Sequence, residues 1–176
     1  MKNYLVGCGQ ITWITDWENP PPPEAAMADI AAAGYDGAPI SDLPGQSAGE
    51  VATFYQGYGL KPGPGYLGAN WWDPAESAAL IEQTRQMAAM HAELGCDTMF
   101  VADNGFMVKG PRGIERMALA GRPTPADSLT PDQYRRAGET LTRAGEAALE
   151  SGVGSASTTM WAPLSKPARR STASLP

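Results

Sequence analysis

The stretch DPAESAALIEQTRQMAAMHAELGCDTMFVAD, residues 73–103, decides the fold, because it carries a helix, its punctuation and the strand that follows. Asp73 stands as a helix N-cap with Pro74 at the first helical position, where the missing N–H costs nothing. Leu80, Thr84, Met87, Met90 and Leu94 then recur at helical spacing, and Gly95 closes the element. Thr98 to Ala102 is a short, continuous apolar run and reads as a strand buried on both faces. A helix feeding directly into such a strand is the repeating unit of a parallel sheet with helices outside it.

The same unit is legible on either side. Tyr4 to Trp13 is an apolar run interrupted by Gly7 and Gly9 and predicts a first buried strand. The stiff loop Asn19-Pro20-Pro21-Pro22-Pro23 opens a helix at Glu24 with the stripe Ala25, Met27, Ile30 and Ala31, ended by Gly34. Gly37 to Ile40 predicts a second strand. A helix from Ser47 or Gly49 runs through Val51, Phe54 and Tyr55 to Gly57 or Gly59. Tyr66 to Trp72 predicts a third strand and Thr98 to Ala102 the fourth. Thr130-Pro131-Asp132-Gln133 is a capping box leading a helix to about Gly152.

Four strand–helix units therefore fill residues 1–152. A complete (β/α)8 barrel takes about 250 residues, so the expected fold is α/β, the N-terminal half of a TIM barrel. The competing architecture is a small open sheet. Against it, Gly7-Cys8-Gly9-Gln10 lies inside a strand, and no strand-to-helix loop carries the glycine-rich nucleotide fingerprint.

Residues 153–176 differ in kind. After Glu150 there is no acidic residue, only small and polar residues with Lys166, Arg169 and Arg170, and the expectation is a disordered tail. The break falls where the pattern calls for another strand. The net charge of −6 offers no basic patch for nucleic acid. No stretch approaches the roughly 20 apolar residues of a membrane span. Cys8 and Cys96, both in apolar segments, are expected as buried thiols of a reducing compartment, which points to the cytoplasm.

Three segments carry a family resemblance: Gly9-Gln10-Ile11-Thr12-Trp13, then Ala33-Gly34-Tyr35-Asp36-Gly37, then Ala92-Glu93-Leu94-Gly95-Cys96. In order and spacing they resemble the sugar phosphate isomerase/epimerase family of xylose isomerase-like barrels, nearest to its inosose dehydratase branch. The resemblance covers about residues 4–152. It implies a reaction on a small polyol or keto-sugar at the C-terminal mouth of the barrel. A divalent metal (Mn, Co, Mg or Zn) is implied for the intact relative, polarising a carbonyl or hydroxyl while a side chain removes the adjacent proton. This chain departs from the pattern at Ala38-Pro39, where relatives carry a glutamate. It departs again after Ser157, where the branch carries a histidine run.

The codons offer a reading of that second departure. Shifted by one frame, Thr158 and Thr159 yield codons of the form xAC and Met160 one of the form xAT, all histidine when x is C. Met160 and Trp161 have single codons, which force valine and glycine next, and Pro163 completes a threonine codon when x is A. The hidden motif is His-His-His-Val-Gly-Thr, and a frameshift near Gly152 is expected.

Candidate site residues follow from strand ends, where barrel chemistry sits. At the first strand, Gln10 or Thr12 would bind substrate hydroxyls and Trp13 would wall the C–H face of a sugar; otherwise they pack. Asp16 reads as a solvated or capping carboxylate. At the third strand, Tyr66 and Asn70 are the polar candidates, with Trp71 and Trp72 at the rim. Asp103 and Asn104 follow the fourth strand and are the first choice, although Asp-Asn-Gly is also a favourable turn. Lys109 and Arg112 read as solvated loop charges, and His91, on the long helix, points away from the mouth. No group of Asp, Glu and His at metal-ligand spacing is legible, so neither catalytic residues nor metal ligands are assigned to this chain. It is expected to be inactive as it stands. The alternative is a half-barrel that self-associates through its sheet edges and binds a small molecule without catalysis.

Overall fold

A computed structural model describes residues 4–16, 19–40, 46–104, 109, 113–119, 122 and 124–157. Helices α1 (Glu24–Ala32), α2 (Ala48–Gly57), α3 (Ser77–Glu93) and α4 (Pro131–Leu149) alternate with short strands. The strands are β1 (Gly37–Pro39), β2 (Lys61–Gly63), β3 (Tyr66–Ala69), β4 (Thr98–Asp103) and β5 (Gly154–Ser157). All ladders are parallel: β1 with β2 (Gly37 opposite Lys61), β3 with β4 (Leu67 opposite Val101) and β4 with β5 (Met99 opposite Ser155).

β2 and β3 are two halves of one passage of chain. Its first half serves β1 and its second half β4, with Pro64 and Gly65 between. At the changeover Ile40 N–H donates to Gly63 O (3.0 Å) and Phe100 N–H to Gly65 O (2.8 Å). Spatial order thus follows chain order throughout, as in a singly wound barrel; a doubly wound open sheet reverses direction at a switch point.

Alternation sorts the strand residues. Leu67, Ala69, Met99 and Val101 enter one apolar cluster with Leu80, Ile81 and Ala88 of α3 and Ala144, Ala147 and Ala148 of α4. Tyr66, Gly68, Phe100 and Ala102 take the opposite face. A second cluster joins Ala26, Met27 and Ile30 of α1 with Ala38, Ile40, Val51, Tyr55 and Leu60. The caps expected at α2 and α4 form. Ser47 Oγ accepts from Glu50 N–H (3.3 Å) while the Glu50 carboxylate accepts from Ser47 N–H (2.8 Å), and Thr130 with Gln133 repeats the arrangement on α4. Gly34 and Gly95 stop α1 and α3 at φ 83° and 78°, a conformation that other residues resist.

Four expectations change. The first strand, predicted over Tyr4 to Trp13, is only a bridge of Gly7 to Gly37, secured by Cys8 N–H to Gly37 O (3.0 Å) and Asp36 N–H to Val6 O (2.9 Å). Tyr4, Leu5 and Val6 are exposed, and Gln10–Trp13 is a 3-10 turn. β2 was not foreseen, because Lys61-Pro62-Gly63 has neither alternation nor β-branched residues. α3 begins at Ser77 rather than after Asp73, whose carboxylate instead caps a preceding turn through Ala75 N–H (2.9 Å). Gly154–Ser157, placed at the start of the expected tail, forms β5 against β4. Residues 158–176, which carry the rest of that tail and the shifted-frame motif, lie outside the described residues.

Candidate functional site

The C-terminal ends of β3 and β4 place Asn70, Asp103 and Asn104 side by side, while Tyr66 opens β3 opposite Phe100. Asn104 N–H donates to Ala69 O (3.0 Å), which carries β4 one residue past its end along β3. The Asn104 side chain then lies over Gly68, occupying the place where a Cβ would stand. This is the face turned away from the helices, and Tyr66 of β3 is partly exposed on it. Asp103 acts electrostatically on Tyr66, whose hydroxyl is held above its usual pKa first by burial and then by this carboxylate.

Two residues not foreseen in the sequence join the group. Tyr134, in the first turn of α4, is raised by burial, lowered by Arg116 and raised again by Asp103. The Asp103 field therefore reaches phenols on both β3 and α4, with the Arg116 guanidinium beside the second. Both phenols stay protonated at neutral pH and can donate as well as accept, which suits a ligand rich in hydroxyls. Neither Tyr134 nor Arg116 follows a predicted strand; the signal available was position, since Tyr134 opens the helix that returns from the loop after β4.

Asn70 and the adjacent tryptophans form the rim. Trp71 is buried and donates its indole N–H to Ala102 O at 2.7 Å, so it is a core residue. Asn70 Oδ1 and Trp72 Nε1 are shielded from solvent with no hydrogen-bond partner among the described residues. An unpaired buried acceptor and donor two residues apart cost about 1–3 kcal/mol each. A hydroxyl, which both donates and accepts, has the chemistry to satisfy them.

The first-strand candidates stand apart from this group, separated from β3 by β1. Trp13 packs on the N-terminal cluster with its indole N–H bonded to Asp29 Oδ2 of α1 (3.0 Å), a structural commitment. Thr12 is exposed and Gln10 half-buried in the same turn. Asp16 accepts from the side chain of Asn19 (3.1 Å), and Lys109 bridges Glu115. Arg112 lies outside the described residues.

Among the described residues, no three His, Cys, Asp or Glu side chains converge to hold a metal ion. His91 is fully buried with both ring nitrogens engaged, by Gly65 N–H and Met87 O. A catalytic ion typically takes three protein ligands. The residues described do not fit one.

The seat of Asn104 is open to a direct test. In Gly68→Ala the new methyl would overlap the Asn104 amide, which is the movable end of a side chain rather than backbone. Asn104 is expected to leave the sheet, with a stability loss of about 1 kcal/mol or less. The side-chain amide resonances of Asn104 and a urea titration report the two effects separately.

No family model and no curated protein sequence matches the chain. Solved structures do match its fold. One is a zinc-bound IolI protein, with a TM-score of 0.58 and 15% identity over 89% of this chain and 51% of that one. A D-allulose 3-epimerase from Methylomonas sp. gives a TM-score of 0.56 and 21% identity over 87% of this chain and 51% of that one. A sugar phosphate isomerase/epimerase from Parabacteroides distasonis ATCC 8503 gives 0.56 and 14% over 88% and 55%. The chain has the fold of the xylose isomerase-like TIM barrels, as half of one. It spans about half the length of the structures it matches.

Proposed function

We propose that this chain is half of a sugar isomerase/epimerase-type barrel and carries one side of its polyol-binding mouth. The observation that carries the reading is the placing of Asp103 and Asn104 at the C-terminal end of β4, with Tyr66 of β3 and Tyr134 of α4 within reach of the Asp103 charge. That is the end at which barrel enzymes place their chemistry. The group can hold a hydroxylated ligand by donated and accepted hydrogen bonds, with Asn70 and Trp72 at the rim. On this reading the completed barrel isomerises, epimerises or dehydrates a keto-sugar or inosose by removing a proton next to a carbonyl. A divalent ion, when bound, would polarise that carbonyl. Its ligands belong to the half that the described residues do not contain, so the 176-residue chain is inactive. The fold's relatives named for zinc and for D-allulose support the substrate and metal classes. Free thiols at Cys8 and Cys96, and the lack of any described helix long and apolar enough to cross a membrane, support a cytoplasmic enzyme.

The missing half is encoded, on this proposal, in the shifted frame that turns Ser157–Pro163 into His-His-His-Val-Gly-Thr. Sequencing the gene through these codons tests it. Cytosine at the third positions of Ser157, Thr158 and Thr159, followed by a long open frame, is the expected result; any other base there removes the proposal. The frame-restored protein is then expected to interconvert keto-sugars in the presence of Mn2+ and to lose that activity with a chelator, while the 176-residue chain does neither.

A second reading has its own observation. Tyr4, Leu5 and Val6 are exposed along the margin of the sheet, Tyr4 to 82%. Such a margin favours pairing with another copy, giving a dimer that binds a small molecule without catalysis. Sedimentation of the 176-residue chain separates the two: a stable dimer favours this reading, and a monomer or an aggregate removes it.

A further inference from the structure

We infer that His91 is an acid-sensitive clasp between the two strand ladders: a proton on its Nε2 removes the acceptor of Gly65 N–H and opens the sheet at Pro64-Gly65. The inference is independent of the proposed activity.

Each ring nitrogen has one possible role. Nδ1 lies 2.8 Å from Met87 O, which can only accept, so Nδ1 carries the hydrogen. Nε2 lies 2.8 Å from Gly65 N, which can only donate, so Nε2 is bare. The partners thus define a neutral ring. A second proton would set N–H against N–H. Only glycine lets the chain close on the ring here, because a Cβ at Gly65 would lie 3.1 Å from both Cε1 and Nε2 and 2.8 Å from Ile40 O. Ring, β1 end and strand passage close on one point, and His91 is fully buried there, so water does not replace the lost acceptor.

The location gives the bond its leverage. Gly65 is where the chain leaves β1 and turns to β4, and its own carbonyl accepts from Phe100 N–H. On one side stands the cluster built on α1 and α2, on the other the cluster built on α3 and α4. α3 reaches both, since Met87 packs on the cluster of α3 and α4 while Met90 and Leu94 pack on that of α1 and α2.

Among the described residues, burial, which disfavours the protonated ring, and the Met87 carbonyl, which favours it, are what bear on His91, with no charged side chain of α3, β1 or the Lys61–Ala69 passage contributing. The turn after α3 brings Cys96, whose backbone N–H donates to His91 O (2.8 Å) and whose thiol is raised by burial and by Asp97, hence neutral. Lys61 is exposed. Because the folded ring titrates below its ordinary value of 6.5, the opened form binds the proton more readily. The stability supplied by the clasp is complete above about pH 6.5 and is lost as pH falls from there through the folded value.

The test is amide exchange at Gly65, Ile40 and Phe100 between about pH 7.5 and pH 5.5, corrected for intrinsic rates. Opening at Gly65 is expected to rise up to about tenfold per pH unit below about 6.5, while Ser155 to Ser157 of β5 do not follow. His91→Gln keeps an acceptor toward Gly65 without titrating, and its opening at Gly65 is expected to be flat over the window. Parallel acid responses in the two proteins, or equal acceleration at β5, would overturn the inference. If the variant does not fold, the imidazole 15N shifts of the wild type decide. Protonation of Nε2 coincident with Gly65 opening supports the clasp, and protonation without opening, or opening without protonation, refutes it.

Discussion

Gly37→Ala is expected to be among the most damaging single-methyl changes in the chain, destabilising it by about 4 kcal/mol or more, a value reserved for severe steric or packing faults. Gly37 lies opposite Lys61 in the β1–β2 ladder, and a Cβ there would overlap the Lys61 carbonyl oxygen. The obstacle is backbone, which cannot swing aside. Both neighbours are pinned as well: Gly37 O holds Cys8 N–H, and Asp36 O holds Lys61 N–H (2.9 Å). The methyl must therefore push β2 away or release the first-strand bridge. Against a total stability of about 5–15 kcal/mol, the loss leaves a large unfolded fraction. Gly57→Ala is the control, since nothing lies within 4 Å of its Cβ and the position is helical. It is expected to be neutral or to stabilise by up to about 1 kcal/mol. Urea midpoints of the pair, measured together, separate steric overlap from the general effect of adding a methyl.

Trp71→Ala is expected to cost about 3–5 kcal/mol, the range for deleting a buried large side chain. For a chain of this size that lowers Tm by roughly 10 °C. Trp71 is 2% exposed, sits in the cluster under β3 and β4, and donates its indole N–H to Ala102 O. Trp71→Phe isolates the bond from the packing and is expected to lose a smaller part, about 1–2 kcal/mol. The adjacent Trp72 provides the opposite case. Its indole nitrogen is buried with no partner among the described residues, so Trp72→Phe removes an unsatisfied donor and is expected to be neutral or mildly stabilising. If the two Phe variants behave alike, the distinction drawn between these neighbours is wrong. Thermal unfolding followed by circular dichroism is sufficient to decide.

The tryptophans also show where the sequence is informative and where it stops. Both lie two or three residues past a strand, and nothing in their spacing tells which one turns inward; that depends on the turn Asn70–Asp73, closed by Asp73 N–H to Asn70 O. Helices were legible because their ends are chemical. Ser47 with Glu50, Thr130 with Gln133, and Gly34 and Gly95 each satisfy groups that a helix end leaves open. The β4 strand was legible because it is a continuous apolar run, with Met99, Val101 and Ala102 buried. β2 was not, since Lys61-Pro62-Gly63 pairs through its backbone alone. Asp103 and Asn104 were candidates from their place at the end of the fourth strand, and Tyr66 and Asn70 from theirs at the two ends of the third. Tyr134 and Arg116 were missed because they arrive from distant sequence, and only the fold brings Tyr134 within reach of both Asp103 and Arg116. His91 read as a helix residue apart from the candidate site; what the sequence could not show is that Gly65 would meet it.

Spatial order that follows chain order bears on how the molecule is made. Each strand finds its partner in the segment synthesised just before it, so loops to be closed are short and their entropic cost is low. The sheet can therefore grow while the chain is still emerging from the ribosome, one strand and one covering helix at a time. The newest strand always offers an unpaired margin to its successor, and any pause in translation leaves that margin waiting.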